Sequence, residues 1–190
     1  MPETERLHTF IMSLTTATLL PGLLLIALGA LFLFNHAAVV TSLKRFPRSR
    51  SAALIFFGLG AAWFLYRIWH LSEADFGQYR RALFVFFAAV AVGAFFYVPD
   101  FLAVRGLAVL VLLGATPLLD AAYMEYEQPQ RLFMVSAVYI ALALAIYLGA
   151  SPFRLRDFLE WLYRQPRRAR VLGGALSGYG VLLSIIAFTY

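Results

Sequence analysis

Six apolar runs, each about 17 to 25 residues long, occupy most of this chain. A helix needs about 20 apolar residues to cross the hydrocarbon core of a bilayer, so each run is long enough for one crossing. Charged residues make up 14% of the chain, too few to cover the exterior of a soluble domain. The sequence therefore predicts an all-α bundle of six transmembrane helices. The predicted spans are residues 10–34, 52–70, 82–98, 101–123, 132–150 and 171–190.

The segments between these runs are short, so we expect one transmembrane domain over residues 1–190 without a folded domain outside the membrane. The N-terminal sequence MPETERLHT contains Glu3, Glu5 and a single arginine, Arg6. A secretory signal peptide begins with a cationic segment, which this sequence lacks. We therefore expect the first run to be retained as a span.

The charged residues are distributed unevenly between the two sides of the predicted membrane. The connections 35–50, 98–105 and 151–170 carry eleven cations and three acids, whereas the opposite side carries five cations and seven acids. Lysine and arginine concentrate in cytoplasmic loops. This bias predicts that both termini lie outside, in a bacterial inner (plasma) membrane. It also explains the net charge of +6 without nucleic-acid binding.

A short amphipathic helix is predicted over residues 152–164, in the sequence SPFRLRDFLEWLYRQP. Ser151 is placed as the N-cap and Pro152 at the first helical position. Three leucines and one phenylalanine then recur at helical spacing and form one apolar stripe. Arg156 and Glu160 are four residues apart on the other side and are expected to pair. About three turns cannot cross a bilayer, so this helix should lie in the cytoplasmic interface.

A second amphipathic segment precedes Pro47. Its sequence LKRFPR at 43–48 matches LYRQPR at 162–167 in four of six positions. Both segments follow a span that runs towards the cytoplasm and precede a span that runs back. This similarity suggests the hypothesis that the hairpins 10–70 and 132–190 are copies of one duplicated unit.

Basic residues flank both amphipathic segments, and we expect them to contact anionic lipid headgroups on the cytoplasmic face. Each basic residue near such a surface contributes about 1 kcal/mol to binding. A phosphate- or nucleotide-binding patch is the alternative, although topology alone explains the position of these arginines. The six predicted contacts are Arg45, Arg48, Arg164, Arg167, Arg168 and Arg170.

Two ionisable residues of opposite charge are predicted near the outer ends of their spans. Arg67 lies in the second span and Asp120 in the fourth. Their similar depth favours a structural charge pair, because charged groups near an interface can reach water. The functional alternative is a proton or cation relay at the outer mouth.

The chain contains three histidines and no cysteine, which excludes thiolate metal sites and iron–sulfur clusters. His36 and His70 are predicted on opposite sides of the membrane, so they cannot form a haem pair. His8, His70, Glu73 and Asp75 share the outer side and are candidate ligands for a metal ion. Interfacial histidines and acids are usually only solvated, and no cofactor is predicted.

Small residues form flat faces on two spans. Gly174 and Gly178 are four residues apart in the last span, with Ser177 beside them, and Gly58 lies in the second span. Small residues allow helix backbones to approach closely in lipid. We interpret these faces as packing surfaces within the bundle, with docking of another subunit as the alternative.

Two classes of function fit these features. The first is a non-catalytic accessory or scaffold subunit that binds the lipid bilayer and other membrane subunits. The second is a small transporter or channel, which would be a homo-oligomer. An enzyme is disfavoured because the intramembrane serines Ser136, Ser177 and Ser184 have no histidine at their predicted depth.

Overall fold

The computed structural model describes residues 12–190, which fold into helices and turns without a strand. Six helices within this range are long and apolar enough to cross a membrane, so the predicted all-α membrane bundle is confirmed. Two shorter helices lie between them, each before an arginine-rich turn. The helices are α1 (Leu14–Phe34), α2 (Ala37–Arg45), α3 (Arg50–Trp69), α4 (Arg80–Tyr97), α5 (Leu102–Ala122), α6 (Arg131–Ala150), α7 (Phe153–Tyr163) and α8 (Pro166–Ala187).

Local sequence signals fix both ends of α1. Ser13 is the N-cap, and its hydroxyl oxygen accepts a hydrogen bond of 3.2 Å from the backbone N–H of Thr16. The helix continues through Pro21 and ends at Asn35. Asn35 adopts the left-handed conformation with a φ of 44°, which asparagine tolerates better than most residues. The chain is therefore redirected at Asn35 into α2.

The start of α3 uses the same type of cap. A short 3-10 turn at Phe46–Arg48 contains Pro47, and Ser49 follows it in an extended conformation. The Ser49 hydroxyl accepts a 3.2 Å hydrogen bond from the N–H of Ala52. Proline and serine thus stop one helix and start the next within four residues.

Two details around α7 differ from the sequence interpretation. Pro152, not Ser151, occupies the N-cap position of α7, and no side chain caps this end. The last span begins at Pro166 instead of residue 171. Pro166 fits the first turn of α8, because its missing N–H has no intrahelical partner there. The cluster Arg167, Arg168 and Arg170 is therefore helical.

The chain forms two compact units. Unit 1 comprises residues 12–36, Gly114–Ala141 and Gln165–Tyr190, and unit 2 comprises Ala37–Leu113 and Leu142–Arg164. Helices α5 and α6 each contribute residues to both units. Unit 1 contains α1 and α8, whereas unit 2 contains α2, α3, α4 and α7.

In unit 1, α1 and α8 pack together along their lengths through glycine. The approach is so close that a Cβ atom on Gly180 would lie 2.6 Å from the carbonyl oxygen of Gly22. A Cβ atom on Gly173 would lie 2.7 Å from the carbonyl oxygen of Gly29. Because the higher-numbered glycine of α1 meets the lower-numbered glycine of α8, the two helices are antiparallel. The first residue of α1 and the last of α8 therefore lie at the same end of the pair.

In unit 2, α3 and the first half of α5 approach closely at two glycines. The backbone of Phe57 lies where a side chain on Gly106 would begin, and Val109 Cγ1 lies 3.2 Å from the corresponding position on Gly60. Ala53, Leu102 and Ala103 form a buried cluster beside this contact.

The two short helices α2 and α7 also contact each other in unit 2. The Lys44 ammonium lies 5.9 Å from the centre of the Tyr163 ring. Leu159 and Leu162 on the apolar stripe of α7 are buried. The predicted stripe is therefore used for packing inside this unit.

Candidate functional site

The predicted packing glycines fall on two different faces. Ser177 contacts α1 at Gly29, as a packing interpretation requires. A Cβ atom on Gly58, Gly174 or Gly178, in contrast, would meet no described atom within 4 Å. Within residues 12–190 no neighbouring helix lies within 4 Å of these three Cβ positions, and a packing role for these glycines stays a prediction. Docking of another subunit against them remains a prediction.

Successive glycines of α8 thus have opposite surroundings. Residues 173 and 180 are seven apart and face α1, as do residues 22 and 29 on the partner helix. Gly174 and Gly178 are rotated away from this contact because each residue turns a helix by about 100°. The exposed side chains around them include the apolar Val171 and Ile185, with Arg167 and Arg170 towards the start of the helix. The side of α8 that carries Gly173 and Gly180 is occupied by α1, whereas no neighbouring helix lies within 4 Å of the Cβ positions of Gly174 and Gly178.

Hydrogen bonds between polar side chains and neighbouring groups reinforce unit 1. Thr18 is fully buried, and its hydroxyl lies 3.3 Å from the Tyr190 hydroxyl, to which it donates. Tyr179 donates a 2.8 Å hydrogen bond to the carbonyl oxygen of Phe133 on α6. Ser184 donates to the carbonyl of Gly180 in its own helix. The first two bonds join different segments of unit 1, an arrangement that stabilises packed helices in lipid, whereas the third lies within α8.

Unit 2 contains an apolar cavity of about 390 Å³ between α3, α4 and α5, which we call the phenylalanine cavity. Its wall consists of phenylalanine, alanine, valine and leucine residues, without a polar side chain. All of them belong to predicted spans. The lining residues are Phe57, Ala61, Phe64, Phe87, Val90, Ala91, Ala94, Val109, Leu112 and Leu113.

Arginines lie at the starts of α3 and α5, two of the helices that line this cavity. Arg50 is the first residue of α3, and Arg105 lies in the first turn of α5. The Arg48 guanidinium lies 5.2 Å from the centre of the Phe101 ring, at cation–π distance. Asp100 is an exposed acid between α4 and α5. Among the described residues, neither Arg50 nor Arg105 is within 4 Å of a carboxylate.

The six predicted lipid contacts lie at helix ends. Arg45 ends α2, Arg48 is in the following 3-10 turn, and Arg164 caps α7. The other three lie in the first two turns of α8. Five of the six are exposed, whereas Arg168 is half-buried. Their solvent exposure is compatible with headgroup contact, which remains a prediction.

The polar side of α7 pairs differently from the expectation. Arg156 forms an ion pair of 2.7 Å with its neighbour Asp157 instead of with Glu160. The hydrogen bond to Asp157, together with its charge, raises the pKa of Arg156 above the ordinary value. Burial raises the pKa of the nearby Tyr163 phenol.

Arg67 and Asp120 both lie near helix ends. Arg67 is in the last turn of α3, in unit 2, where a cation interacts favourably with the helix dipole. Asp120 is near the end of α5, in unit 1. Both residues are exposed. Their predicted pairing remains a prediction.

Of the candidate metal ligands, His8 lies outside the described residues. His70 Nδ1 donates a 2.8 Å hydrogen bond to the Tyr66 carbonyl oxygen, and its ring packs against the Tyr66 ring. Asp75 accepts a 2.8 Å hydrogen bond from Ser72. Residues 12–190 contain no group of three or more potential ligands arranged around one point. His70, Glu73 and Asp75 therefore do not form such a group by themselves.

Two features of the structure were not identified from the sequence. One is the set of glycines between α1 and α8, whose seven-residue spacing was a usable signal on both helices. The other is the phenylalanine cavity, because a lining phenylalanine has the same sequence pattern as a lipid-facing one. Comparisons with family models, curated proteins and solved structures found no match to this chain.

Proposed function

We propose that this integral membrane protein is a non-catalytic accessory or scaffold subunit of a membrane complex. The observation that carries the proposal is the open glycine face of α8, where Gly174 and Gly178 contact nothing within unit 1. The same helix uses Gly173 and Gly180 for close packing against α1. A helix of another chain can approach the open face in the same manner, since small residues permit close backbone contact in lipid.

The phenylalanine cavity supports this choice over transport. Transporters place polar groups and interrupted helices near the middle of the membrane, where they bind the substrate. The cavity wall offers no polar side chain to a solute or an ion. An apolar wall suits packing against lipid or another apolar helix better than passage of a polar solute.

A small oligomeric transporter or channel is the alternative function. Pro21 within α1 and Pro117 within α5 favour it, because each proline removes one backbone hydrogen bond inside a span. Such positions are frequent in helices that bend during transport.

The proposal includes an orientation in a bacterial inner membrane. The starts of α3 and α8, and Arg105 in the first turn of α5, face the cytoplasm, where anionic lipids and the membrane potential hold the arginines. Both termini then lie outside. A reporter enzyme fused after Tyr190 that is active only outside the cytoplasm supports this orientation, and activity only inside contradicts it.

The subunit role is tested by extraction in a mild detergent followed by mass spectrometry of the intact assembly. We expect an unrelated membrane chain in fixed stoichiometry with the wild-type protein. The double variant Gly174→Leu/Gly178→Leu should lose this chain. Gly93→Leu is the matched control, because Gly93 on α4 also has no described atom near its Cβ position, and this variant should retain the chain.

A homo-oligomer without another chain contradicts the subunit role. Solute or ion flux through that homo-oligomer in proteoliposomes would then support the transporter. Equal retention of the partner chain by wild type and by Gly174→Leu/Gly178→Leu would show that the open face is not the docking surface.

A further inference from the structure

The phenylalanine cavity restricts the chemistry of any occupant. Its volume of about 390 Å³ is far larger than a single water molecule requires, and its wall is entirely apolar. Water in such a cavity lacks hydrogen-bond partners, and a polar ligand would lose its own. Only a hydrocarbon segment fills this space without an unsatisfied polar group.

The cavity is open at the surface of unit 2. Val90 on α4 and Leu112 on α5 belong to its wall, yet they are 50% and 38% exposed. Within unit 2, these exposed side chains lie on the spans that border the bilayer. A hydrocarbon chain can therefore enter sideways from the membrane without crossing a polar region.

Cationic residues lie on the cavity-facing stripes of two of the three helices. Arg105 precedes Val109 by four residues and Leu112 by seven, so all three lie on one face of α5. Arg50 precedes Phe57 by seven residues on α3 and shares its face in the same way. The helical rise places Arg105 about 6 Å and Arg50 about 10 Å from these lining residues along the axis.

The charges at this end of unit 2 favour an anion. Arg48, Arg50 and Arg105 lie with the exposed Asp100 at this end, while on the neighbouring α7 Asp157 is paired with Arg156 and Glu160 is exposed. Within residues 12–190, no carboxylate neutralises Arg50 or Arg105 in an ion pair. Arginine binds phosphate through several parallel N–H donors. The occupant of the cavity should therefore carry an anionic group about two helical turns from its hydrocarbon segment.

We propose that unit 2 binds one anionic phospholipid, with an acyl chain in the phenylalanine cavity and the headgroup phosphate on Arg50 and Arg105. The apolar volume and the two arginines lie in the order in which a phospholipid presents its chain and its phosphate. This site is separate from the six arginines expected to contact the bulk membrane surface, apart from Arg48 beside it. It does not depend on the proposed subunit role, because all its residues belong to unit 2 of this chain.

Native mass spectrometry of the full chain, purified in detergent and titrated with phosphatidylglycerol or phosphatidylcholine, tests the site. We expect one tightly bound phosphatidylglycerol and weaker binding of phosphatidylcholine. Arg50→Gln and Arg105→Gln should each weaken phosphatidylglycerol binding about fivefold, since one basic residue near an anionic headgroup contributes about 1 kcal/mol. Arg67→Gln, at the opposite end of α3, is the matched control and should leave the affinity unchanged.

The acyl-chain part of the site is tested by filling the cavity. Ala91→Phe places a ring in the cavity and should abolish retention of both lipids, whereas Ala89→Phe, on the exposed side of α4, should not. If Ala91→Phe does not yield monodisperse protein, Ala61→Leu reduces the same cavity from α3.

Three results would overturn the site. The first is unchanged lipid retention in the folded cavity variants, and the second is equal loss in the Ala89→Phe control. The third is equal affinity for the two phospholipids in wild type and in both arginine variants. Tight binding of oleate without phosphatidylglycerol would also reject a phospholipid in favour of a free fatty acid.

Discussion

Helices α1 and α8 meet through glycine in unit 1, whereas α3, α4 and α5 surround a phenylalanine-lined cavity in unit 2. In the first region, backbone atoms approach so closely that a methyl group would overlap them. In the second, the aromatic rings of Phe57, Phe64 and Phe87 leave a gap. The Phe64 and Phe87 rings meet edge to face, with centres 5.2 Å apart.

This difference follows from how helices associate in a membrane. Lipid tails are as apolar as leucine, so burial of apolar surface provides little driving force for helix association. The strength of association depends instead on how well the helix surfaces fit together. Glycine removes the side chain that would separate two backbones. Rigid rings contact each other at their edges and leave space between the helices. We infer that the α1·α8 contact stabilises unit 1, whereas in unit 2 the close contact of α3 with α5 at Gly106 leaves an unfilled cavity beside it.

The largest expected effect comes from Gly180→Ala. Its methyl group would lie 2.6 Å from the Gly22 carbonyl oxygen and 2.8 Å from the Ile26 amide nitrogen, neither of which belongs to a flexible side chain. Overpacking of this kind lowers the free energy of unfolding by about 1–3 kcal/mol. Thermal unfolding in detergent measures the loss.

Gly178→Ala is the matched control for this substitution on the same helix. Its methyl group meets no described atom within 4 Å, and alanine is the better helix former by about 1 kcal/mol. We expect stability equal to or slightly above that of wild type. Equal destabilisation by both substitutions would mean that α8 does not present Gly180 to α1.

Substitutions at Gly60 and Ala61, two neighbouring residues of α3 in unit 2, should have different effects on stability, of intermediate size. Ala61 lines the cavity, so Ala61→Leu should leave the free energy of unfolding unchanged or raise it by up to about 1 kcal/mol. The unfolding temperature should then stay the same or rise. Gly60→Leu should lower it, because Val109 Cγ1 lies 3.2 Å from the position of the first added carbon. The comparison is made with delipidated protein. Destabilisation by Ala61→Leu as large as that by Gly60→Leu would contradict the presence of the cavity.

The smallest effect concerns the hydrogen bond between Thr18 and Tyr190 in unit 1. Thr18→Val and Tyr190→Phe each remove one hydroxyl, and the double variant closes a thermodynamic cycle. Hydrogen bonds between membrane helices give coupling energies of about 0.6 kcal/mol on average. We expect a coupling of that size from chemical or thermal unfolding. A coupling of zero would show that the two hydroxyls are not bonded in the folded protein.

The six spans were predictable because hydrocarbon thickness dictates the length of an apolar run. The amphipathic stripe of α7 was equally readable, since Leu159 and Leu162 recur at helical spacing. The start of α8 was not, because Pro166 can end a helix or occupy its first turn. Which role Pro166 takes depends on where α7 ends and where α8 begins. The local sequence does not determine these two positions.

The packing glycines show a similar limit. Gly173 and Gly174 are adjacent, and each has a second glycine on its own helix face. Gly180 is seven residues after Gly173, and Gly178 is four residues after Gly174. Only the partner helix decides between the two pairs, and the decisive residues, Gly22 and Gly29, lie about 150 residues away in sequence. The position of a charged group along its helix was readable from the sequence, whereas its rotation about the helix axis was not.

Disulfide trapping between α1 and α8 in native membranes is the most direct test of the glycine contact. The chain has no cysteine, so the double variant Gly22→Cys/Ser184→Cys contains only the two introduced thiols. The Ser184 hydroxyl oxygen lies 2.9 Å from the Cβ position of residue 22, a separation that suits a disulfide. Ile185, the next residue, is 60% exposed and provides the control pair Gly22→Cys/Ile185→Cys.

After mild oxidation and denaturation, free thiols are counted by the mobility shift that a maleimide polymer produces. We predict that the 22/184 pair forms an intramolecular disulfide and loses both reactive thiols, while the 22/185 pair forms none within one chain. Intramolecular crosslinking of 22/185 in preference to 22/184, or of neither pair, would contradict the antiparallel glycine contact between α1 and α8.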